Sequence, residues 1–240
     1  MLAYKRTENF VFRTSPLQIL TRGQIAFLPP MARQNSYRLC SRYNAATQEI
    51  GEQALQLDLM YTYKRRLQFL LNVSNITKPD NTLLYREVFF EASYKSKGNW
   101  KLSGGFQFQQ YNQEIYEFKP NVPLVVSYVP FAEFNYKFND NTSMRIETQY
   151  MHNRQDYGSW LYGLIELNIA PHWSFSLSDM LNIVPTKYDK PKHFYTALIG
   201  YTEGSTMISL SYVKQVEGIV CTGGVRSEEH TSELQSRQYL

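Results

Sequence analysis

Paired carboxylates are the residues of this sequence whose types and spacing could perform acid–base chemistry. Glu133 and Glu147 lie in two successive alternating segments, so a tight turn between the segments would bring both side chains onto adjacent strands. Two carboxyl groups that flank a scissile bond are the arrangement that glycoside hydrolases use. The same pair is also explained as acidic positions of a polar sheet face balanced by Lys137 and Arg145. The spacing alone fixes no distance between the carboxyl groups.

A second set of residues, His152, Asp156 and Ser159, has the side-chain types of a hydrolase triad. These residues lie within a few positions of one another and lack the glycine pattern of a nucleophile elbow. A polar loop next to a strand-end histidine accounts for them better. We therefore predict that the protein is not an enzyme, and we keep a membrane-embedded hydrolase of lipid or glycan as an alternative.

The sequence predicts neither a metal site nor a cofactor. His172 and His193 are isolated from other metal-binding side chains. Cys40 and Cys221 are far apart and have no metal or redox spacing, although a disulfide between them stays open. The formal net charge of +4 is mild and diffuse, so we expect no nucleic-acid partner.

The elements that must position these residues alternate between apolar and polar side chains. Leu55, Leu57 and Leu59, for example, fall on the face opposite Gln56 and Asp58. This period of two is typical of strands with one apolar and one polar face. The charged residues predicted to line the polar face are Glu87, Glu91, Glu133, Arg145, Glu147 and Glu166.

The turns between these strands are of two kinds that alternate along the chain. The tight turns are Lys64-Arg65-Arg66, Lys97-Gly98-Asn99, Asn139-Asp140-Asn141, Pro171-His172 and Glu203-Gly204. The mostly longer loops are Asn44–Gly51, Thr77–Asn81, Asn112–Pro123, Arg154–Ser159 and Pro185–Lys192. Short turns at one end and longer loops at the other are typical of a membrane barrel. We predict an all-β fold of roughly thirteen antiparallel up-and-down strands.

Strand length favours a transmembrane barrel over a soluble β-protein. The alternating runs exceed the ~5–6 residues of ordinary strands, and a tilted strand needs about 9–11 residues to cross a bilayer. Aromatic residues near strand ends suit the two interfacial girdles of such a barrel. Those residues are Tyr94, Tyr111, Tyr128, Tyr157, Trp160, Trp173 and Tyr195. A soluble carbohydrate-binding β-protein is the remaining alternative.

The last residues of the chain look foreign. Residues 226–236 read R-S-E-E-H-T-S-E-L-Q-S, which is the translation of a commonly used short-read sequencing adapter. We therefore expect residues 1–225 to form one barrel domain and residues 226–240 to be a non-native tail. The start of the chain lacks the apolar core of a signal peptide, so we expect that the natural protein is longer at both ends.

Several segments resemble a domain-of-unknown-function family of outer-membrane β-barrels from Bacteroidetes-type bacteria. The segments are N-F-V-F-R-T (9–14), F-L-P-P-M-A-R-Q-N-S-Y-R-L (27–39), I-A-P-H-W-S-F-S-L-S-D-M-L-N (169–182) and S-Y-V-K-Q-V-E-G-I-V-C-T-G-G-V (211–225). The resemblance implies an incomplete outer-membrane barrel of a Gram-negative bacterium, in which a last strand and a second cysteine would follow Cys221. It implies no activity, because the function of the family is unassigned.

Together these patterns predict a passive role in the outer membrane. The charged polar face and the external loops, rich in Tyr, Lys and Asp, fit a pore and a scaffold for envelope proteins equally well. The expected partners are the lipid bilayer of the outer membrane and small solutes or other envelope proteins.

Overall fold

The computed structural model describes residues 1–8, 29–46, 51–214 and 216, and the backbone of residues 218–222, 225–229 and 232–239. The strands are β1 Leu2–Thr7, β2 Glu52–Tyr63, β3 Leu67–Thr77, β4 Leu83–Lys95, β5 Trp100–Tyr111, β6 Val125–Lys137, β7 Thr142–Asn153, β8 Gly158–Ile169, β9 Trp173–Pro185, β10 Lys192–Glu203, β11 Thr206–Lys214, β12 Gly218–Thr222, β13 Val225–Glu229 and β14 Ser232–Tyr239. One short helix, α1, covers Gln113–Tyr116. No helix in these ranges is long and apolar enough to span a membrane.

The strands form an antiparallel up-and-down sheet, as the sequence predicts. Twelve strands pair in the order β1 to β11 followed by β14, and β12 pairs with β13 in a separate hairpin. The all-β fold class is therefore confirmed, with fourteen strands in place of roughly thirteen. In the described pairing β1 and β14 are the two edge strands, and closure into a barrel stays a prediction.

The tight turns have the backbone geometry that joins neighbouring antiparallel strands. Lys64 and Arg65 have positive φ angles of 46° and 57°, and the Arg66 amide donates to the Tyr63 carbonyl at 3.1 Å. Two successive residues with positive φ make a type I′ turn, whose twist matches that of the flanking strands. At this end of the sheet the connections are short because the turn residues supply their own hydrogen bonds.

The opposite end carries most of the longer connections. Residues 112–124 contain α1, where the Asn112 side chain accepts a hydrogen bond from the Ile115 amide at 3.2 Å. One predicted long loop is shorter than expected, because Gly158 and Ser159 already belong to β8 and only residues 154–157 connect it to β7.

The two faces of the sheet have opposite polarity, and the polar face is the buried one. Leu59, Ile165 and Leu177 are 50%, 53% and 59% exposed on the face that we call the outer face. On the other, the inner face, Asn72 and Gln107 are fully buried. Water-soluble proteins show the reverse distribution, in which large apolar side chains are the buried ones.

Residues 29–46, which we call the inner segment, cover the inner face. This stretch between β1 and β2 contains neither helix nor strand, yet Leu39 and Cys40 are fully buried and Tyr43 is 3% exposed. The sequence analysis did not predict that this stretch folds inward. Residues 27–28 and 47–50 of the family-like stretch and of the predicted loop lie outside the described residues.

The predicted aromatic girdle is correct in part. Tyr94, Tyr128, Trp173 and Tyr195 are exposed on the outer face. Two other predicted members, Trp160 and Tyr111, are 0% and 6% exposed on the inner face. Tyr157 lies in the connection before β8 and contacts the Trp160 ring at 6.4 Å. The assignment of Trp160 and Tyr111 to an outer girdle is wrong, because an aromatic residue near a strand end can point to either face.

The two chain ends contain the family-like stretch 9–14 and the predicted foreign tail. The family-like stretch 9–14 lies outside the described residues. The backbone of residues 225–229 and 232–239 forms β13 and β14, and β14 pairs with β11. Residues 226–229 and 232–239 thus take part in strand pairing, while the foreign origin of the tail stays a prediction.

Candidate functional site

Three glutamines of the strands bind the backbone of the inner segment. A segment without regular structure has backbone groups that need partners once they are buried. The bonds are Leu39 amide to Gln149 Oε1 at 2.7 Å, Gln107 Nε2 to the Cys40 carbonyl at 3.0 Å, and Gln109 Nε2 to the Tyr43 carbonyl at 2.6 Å. These side chains replace the secondary-structure hydrogen bonds that the inner segment lacks.

Side chains of the inner segment make further specific contacts with the sheet. Asn35 Nδ2 donates to Glu87 Oε1 at 2.8 Å, and the Tyr37 ring lies 4.0 Å from the Phe131 ring. In the connection between β7 and β8, Asp156 Oδ2 accepts a hydrogen bond from the Tyr43 hydroxyl at 2.9 Å. Polar and aromatic contacts together therefore hold the inner segment on the inner face.

Four aromatic rings form a closed circuit near the end of the sheet that carries the longer connections. We call Tyr157, Trp160, Tyr188 and Phe194 the aromatic box, and their successive centroid distances range from 5.7 to 6.4 Å. The guanidinium carbon of Arg42 lies 4.3 Å from the Trp160 ring and 5.3 Å from the Tyr157 ring. These distances are in the range of cation–π contacts.

Four of the six predicted charged residues come together on the inner face. Arg145 lies 3.9 Å from Glu133, 3.6 Å from Glu147 and 3.9 Å from Glu166. Glu133 and Glu147 are direct partners in the β6–β7 pairing, and the Gln149 side chain also hydrogen-bonds to Glu147. The carboxylate pair that could suggest a glycosidase is thus compensated by one shared cation.

The other two predicted residues, both on β4, lie outside this cluster. Glu87 is fully buried and accepts a hydrogen bond from Gln107 at 2.6 Å. Glu91 is half-buried and interacts electrostatically with Arg33 of the inner segment and with Lys101 of β5. Both therefore face the inner segment, and whether this face lines a water-filled lumen stays a prediction.

The residues of the possible triad are engaged in other contacts. Ser159 Oγ donates to the Asn153 carbonyl at 3.1 Å and accepts from the Asn153 amide at 3.2 Å. Asp156 pairs with Lys187. Among the described residues, no hydrogen bond joins His152 to Ser159 or Asp156, so these contacts are those of a loop and a strand end.

Within the part of the chain that the structure describes, no three His, Cys, Asp or Glu side chains lie close enough together to hold a metal ion.

Sequence comparison assigns the chain to a family. Residues 1–229 match DUF6029, which is described as a family of unknown function. The chain belongs to DUF6029. The predicted membership of a family of unknown function is therefore confirmed, and the Bacteroidetes origin stays a prediction. Nothing among curated proteins matches this DUF6029 chain.

Two solved structures of the KdgM porin are similar to the DUF6029 chain. One of them, in complex with disordered oligogalacturonate, is 13% identical with a TM-score of 0.33. The other is 11% identical with a TM-score of 0.32. Each similarity covers 68% of this chain and 83% of the porin chain.

The DUF6029 structure adds candidate site residues that the sequence did not indicate. Arg42 and the aromatic box had no sequence signal of their own, because Arg42 and Trp160 are far apart in the chain. The nearest signal was the family-like stretch 27–39, whose described part, residues 29–39, belongs to the inner segment. From the sequence, that stretch indicates the family and no contact partner.

Cys40 of this DUF6029 chain is deeply buried in the inner segment. Burial is the main cause that raises the pKa of its thiol, and the nearby Glu87 carboxylate raises that pKa further. Because the thiolate is the reactive form, a raised pKa makes the thiol a poor nucleophile. Burial and the raised pKa therefore both lower the reactivity of the Cys40 thiol.

Proposed function

We propose that this DUF6029 protein is an outer-membrane β-barrel pore that the inner segment closes. The observation that carries the proposal is the inverted polarity of the sheet, with large apolar side chains exposed outside and polar side chains buried inside. Such a sheet suits a bilayer, where the apolar face meets lipid and the polar face lines a lumen. In lipid the edges of the sheet must also close, because unpaired backbone groups find no water there.

Aromatic contacts on the outer face support a membrane location. Tyr94 contacts Trp100 at 5.5 Å, Trp100 contacts Phe134 at 6.3 Å, and Tyr136 contacts Phe138 at 5.0 Å near the tight-turn end. Belts of aromatic rings at this level are typical of the boundary between hydrocarbon and headgroups. We place the protein in the outer membrane of a Gram-negative bacterium, with the lipid bilayer as its partner.

The polar residues beneath the inner segment favour a pore over a scaffold. A permanently static core would be at least as stable with apolar residues, because buried charges cost desolvation energy. Glu87, Gln107 and Glu147 suit an inner face that becomes hydrated when the inner segment leaves. The proposed pore is therefore gated, and small solutes are its expected cargo.

Planar-bilayer recording tests this proposal. In the test variant, residues 31–46 are replaced by a glycine–serine linker of equal length. We expect few openings from the unaltered chain and a several-fold higher mean conductance from the variant, because the linker cannot reproduce the contacts of Leu39, Cys40 and Tyr43.

The matched control replaces residues 118–122 by a glycine–serine linker. Phe118 in that loop is 83% exposed, so its loss leaves the inner segment in place. The control should conduct like the unaltered chain. If the linker variant inserts into the bilayer and still gives no channel events, the pore is excluded and an envelope scaffold becomes the better explanation.

A further inference from the structure

Every ring of the aromatic box carries a cation of the chain within cation–π distance. The pairs are Arg42 with Trp160 at 4.3 Å, Lys187 with Tyr157 at 3.8 Å, Lys192 with Tyr188 at 3.8 Å and Lys214 with Phe194 at 5.7 Å. The face of an aromatic ring carries negative potential, so these rings attract cations. The electrostatic potential of the ring faces therefore favours positively charged groups at the aromatic box.

Arg42 contacts the Tyr43, Tyr157 and Trp160 rings, and its side chain donates a hydrogen bond to the Tyr43 hydroxyl. Arginine usually pairs with carboxylates through its planar fork, but no ion pair of Arg42 occurs among the described residues, and its Nε has no hydrogen-bond partner there. The buried indole N–H of Trp160 likewise lacks a partner in the described part of the chain. A guanidinium bound in this way can be exchanged for another one without breaking a salt bridge.

We propose that the aromatic box is a binding site for a guanidinium group of a solute and that Arg42 occupies it as an internal competitor. A free guanidinium compound that takes the place of Arg42 removes one anchor of the inner segment. This release step rests on the proposed gated pore, whereas the binding of guanidinium to the aromatic box does not.

The rings of the box favour guanidinium over ammonium. Lys187 forms an ion pair with Asp156, and the ammonium groups of Lys192 and Lys214 lie over the Tyr188 and Phe194 rings. A compact, strongly hydrated ammonium ion would lose its hydration water when it binds to such rings. The flat, weakly hydrated guanidinium stacks on rings at a smaller desolvation cost.

Tryptophan fluorescence of the full chain in detergent measures the binding. Trp100→Phe and Trp173→Phe leave Trp160 as the only tryptophan, and methylguanidinium chloride is the titrant. We expect methylguanidinium to change the Trp160 emission, with weaker effects from methylammonium and none from neutral methylurea. Arg42→Ala in this background should lower the apparent Kd about tenfold or more, because the competing internal state is removed.

Arg33→Ala is the matched control, since it removes the same charge from the same segment. Arg33 lies over the Phe89 ring at 4.6 Å, outside the box. Its loss should leave the apparent Kd unchanged. If Arg33→Ala lowers the Kd as much as Arg42→Ala does, general loosening of the inner segment explains the effect and the proposal is wrong.

A second variant tests the box itself in protein that is shown to be folded by its altered mobility on unheated gels. Phe194→Leu combined with Arg42→Ala should weaken methylguanidinium binding again, because one wall of the box loses its ring. Unchanged binding in this double variant, or equal responses to methylguanidinium and methylurea, would overturn the site.

Bilayer recording with methylguanidinium separates the two proposals. Binding in detergent together with more frequent openings supports both the site and its link to gating. Binding without any change in conductance refutes the release step and leaves the pore intact. Channel events that are absent from every variant refute the pore, while the fluorescence result still decides the site.

Discussion

Gly105 of β5 is closely packed against two phenylalanines. A Cβ atom at this position would lie 2.2 Å from the Phe90 carbonyl oxygen and 2.5 Å from Cζ of Phe131. The Phe131 ring in turn contacts Tyr37 of the inner segment. The missing side chain of Gly105 therefore makes room for the ring on which the inner segment rests.

Gly105→Ala should destabilise the protein by about 1–3 kcal/mol, the usual cost of overpacking. Gly163→Ala is the matched control, because a Cβ at Gly163 would meet nothing within 4 Å. Urea unfolding in detergent or lipid, followed by gel mobility, measures both variants. We expect a lower midpoint for Gly105→Ala only, and equal midpoints would contradict the packing argument.

Some residue positions could be predicted from sequence and others could not. The alternation put Glu133, Glu147 and Arg145 on one face of neighbouring strands, which is where the structure brings them together. Arg42 could not be matched with Trp160, because only the folded chain brings these distant positions into contact.

At the scale of elements, the strands were predictable and the inner segment was not. A strand is visible in sequence through local alternation, and the segments of β2 to β7 and of β11 alternate clearly. The apolar residues of the inner segment have no regular spacing. Its position on the inner face depends on long-range hydrogen bonds such as that from the Leu39 amide to Gln149. The wrong placement of Trp160 has a similar cause, because its face is decided by contacts with Arg42 and Phe194.

Cys40 offers a chemical measurement of the position of the inner segment. In a Cys221→Ser background, we expect Cys40 to react with a maleimide about a hundredfold more slowly in the native protein than in the SDS-unfolded chain, because access and thiolate population are both reduced. The raised pKa acts in the same direction at every pH below it, since less thiolate is then present.

Arg42→Ala should increase the labelling rate of Cys40, and Arg33→Ala should increase it less, because Arg42 is anchored closer to Cys40 in the sequence. Native labelling as fast as that of the unfolded chain would contradict the buried position of Cys40.

At the scale of the whole molecule, the two ends of the sheet differ. One end has short turns such as residues 64–66, and the other carries connections such as residues 112–124. In a membrane barrel the longer connections face the outside of the cell. The aromatic box lies at this end, because Tyr157 and Tyr188 belong to its connections, so the site would open to external solutes.

Epitope insertion tests this orientation. With an export signal added, a tag placed after Asn121 should be labelled by antibody on intact cells, whereas a tag after Gly98 should need permeabilised cells. Both tags lie in exposed connections, so the comparison isolates the side of the membrane. The reverse pattern would invert the barrel, and labelling of neither tag before permeabilisation would place both ends inside.

The pairing of β1 with β2 has a consequence for how such a protein would respond to solutes. Thr7 and Glu52 are direct partners, so both ends of the connection that contains the inner segment are fixed side by side. Arg42 is thus a tethered ligand, and tethering of this kind gives effective concentrations of the order of millimolar. A free guanidinium compound must reach similar concentrations to compete, and when it is diluted the tether restores the original state. An abundant guanidinium compound would therefore release the inner segment, whereas trace amounts of the compound would leave it bound.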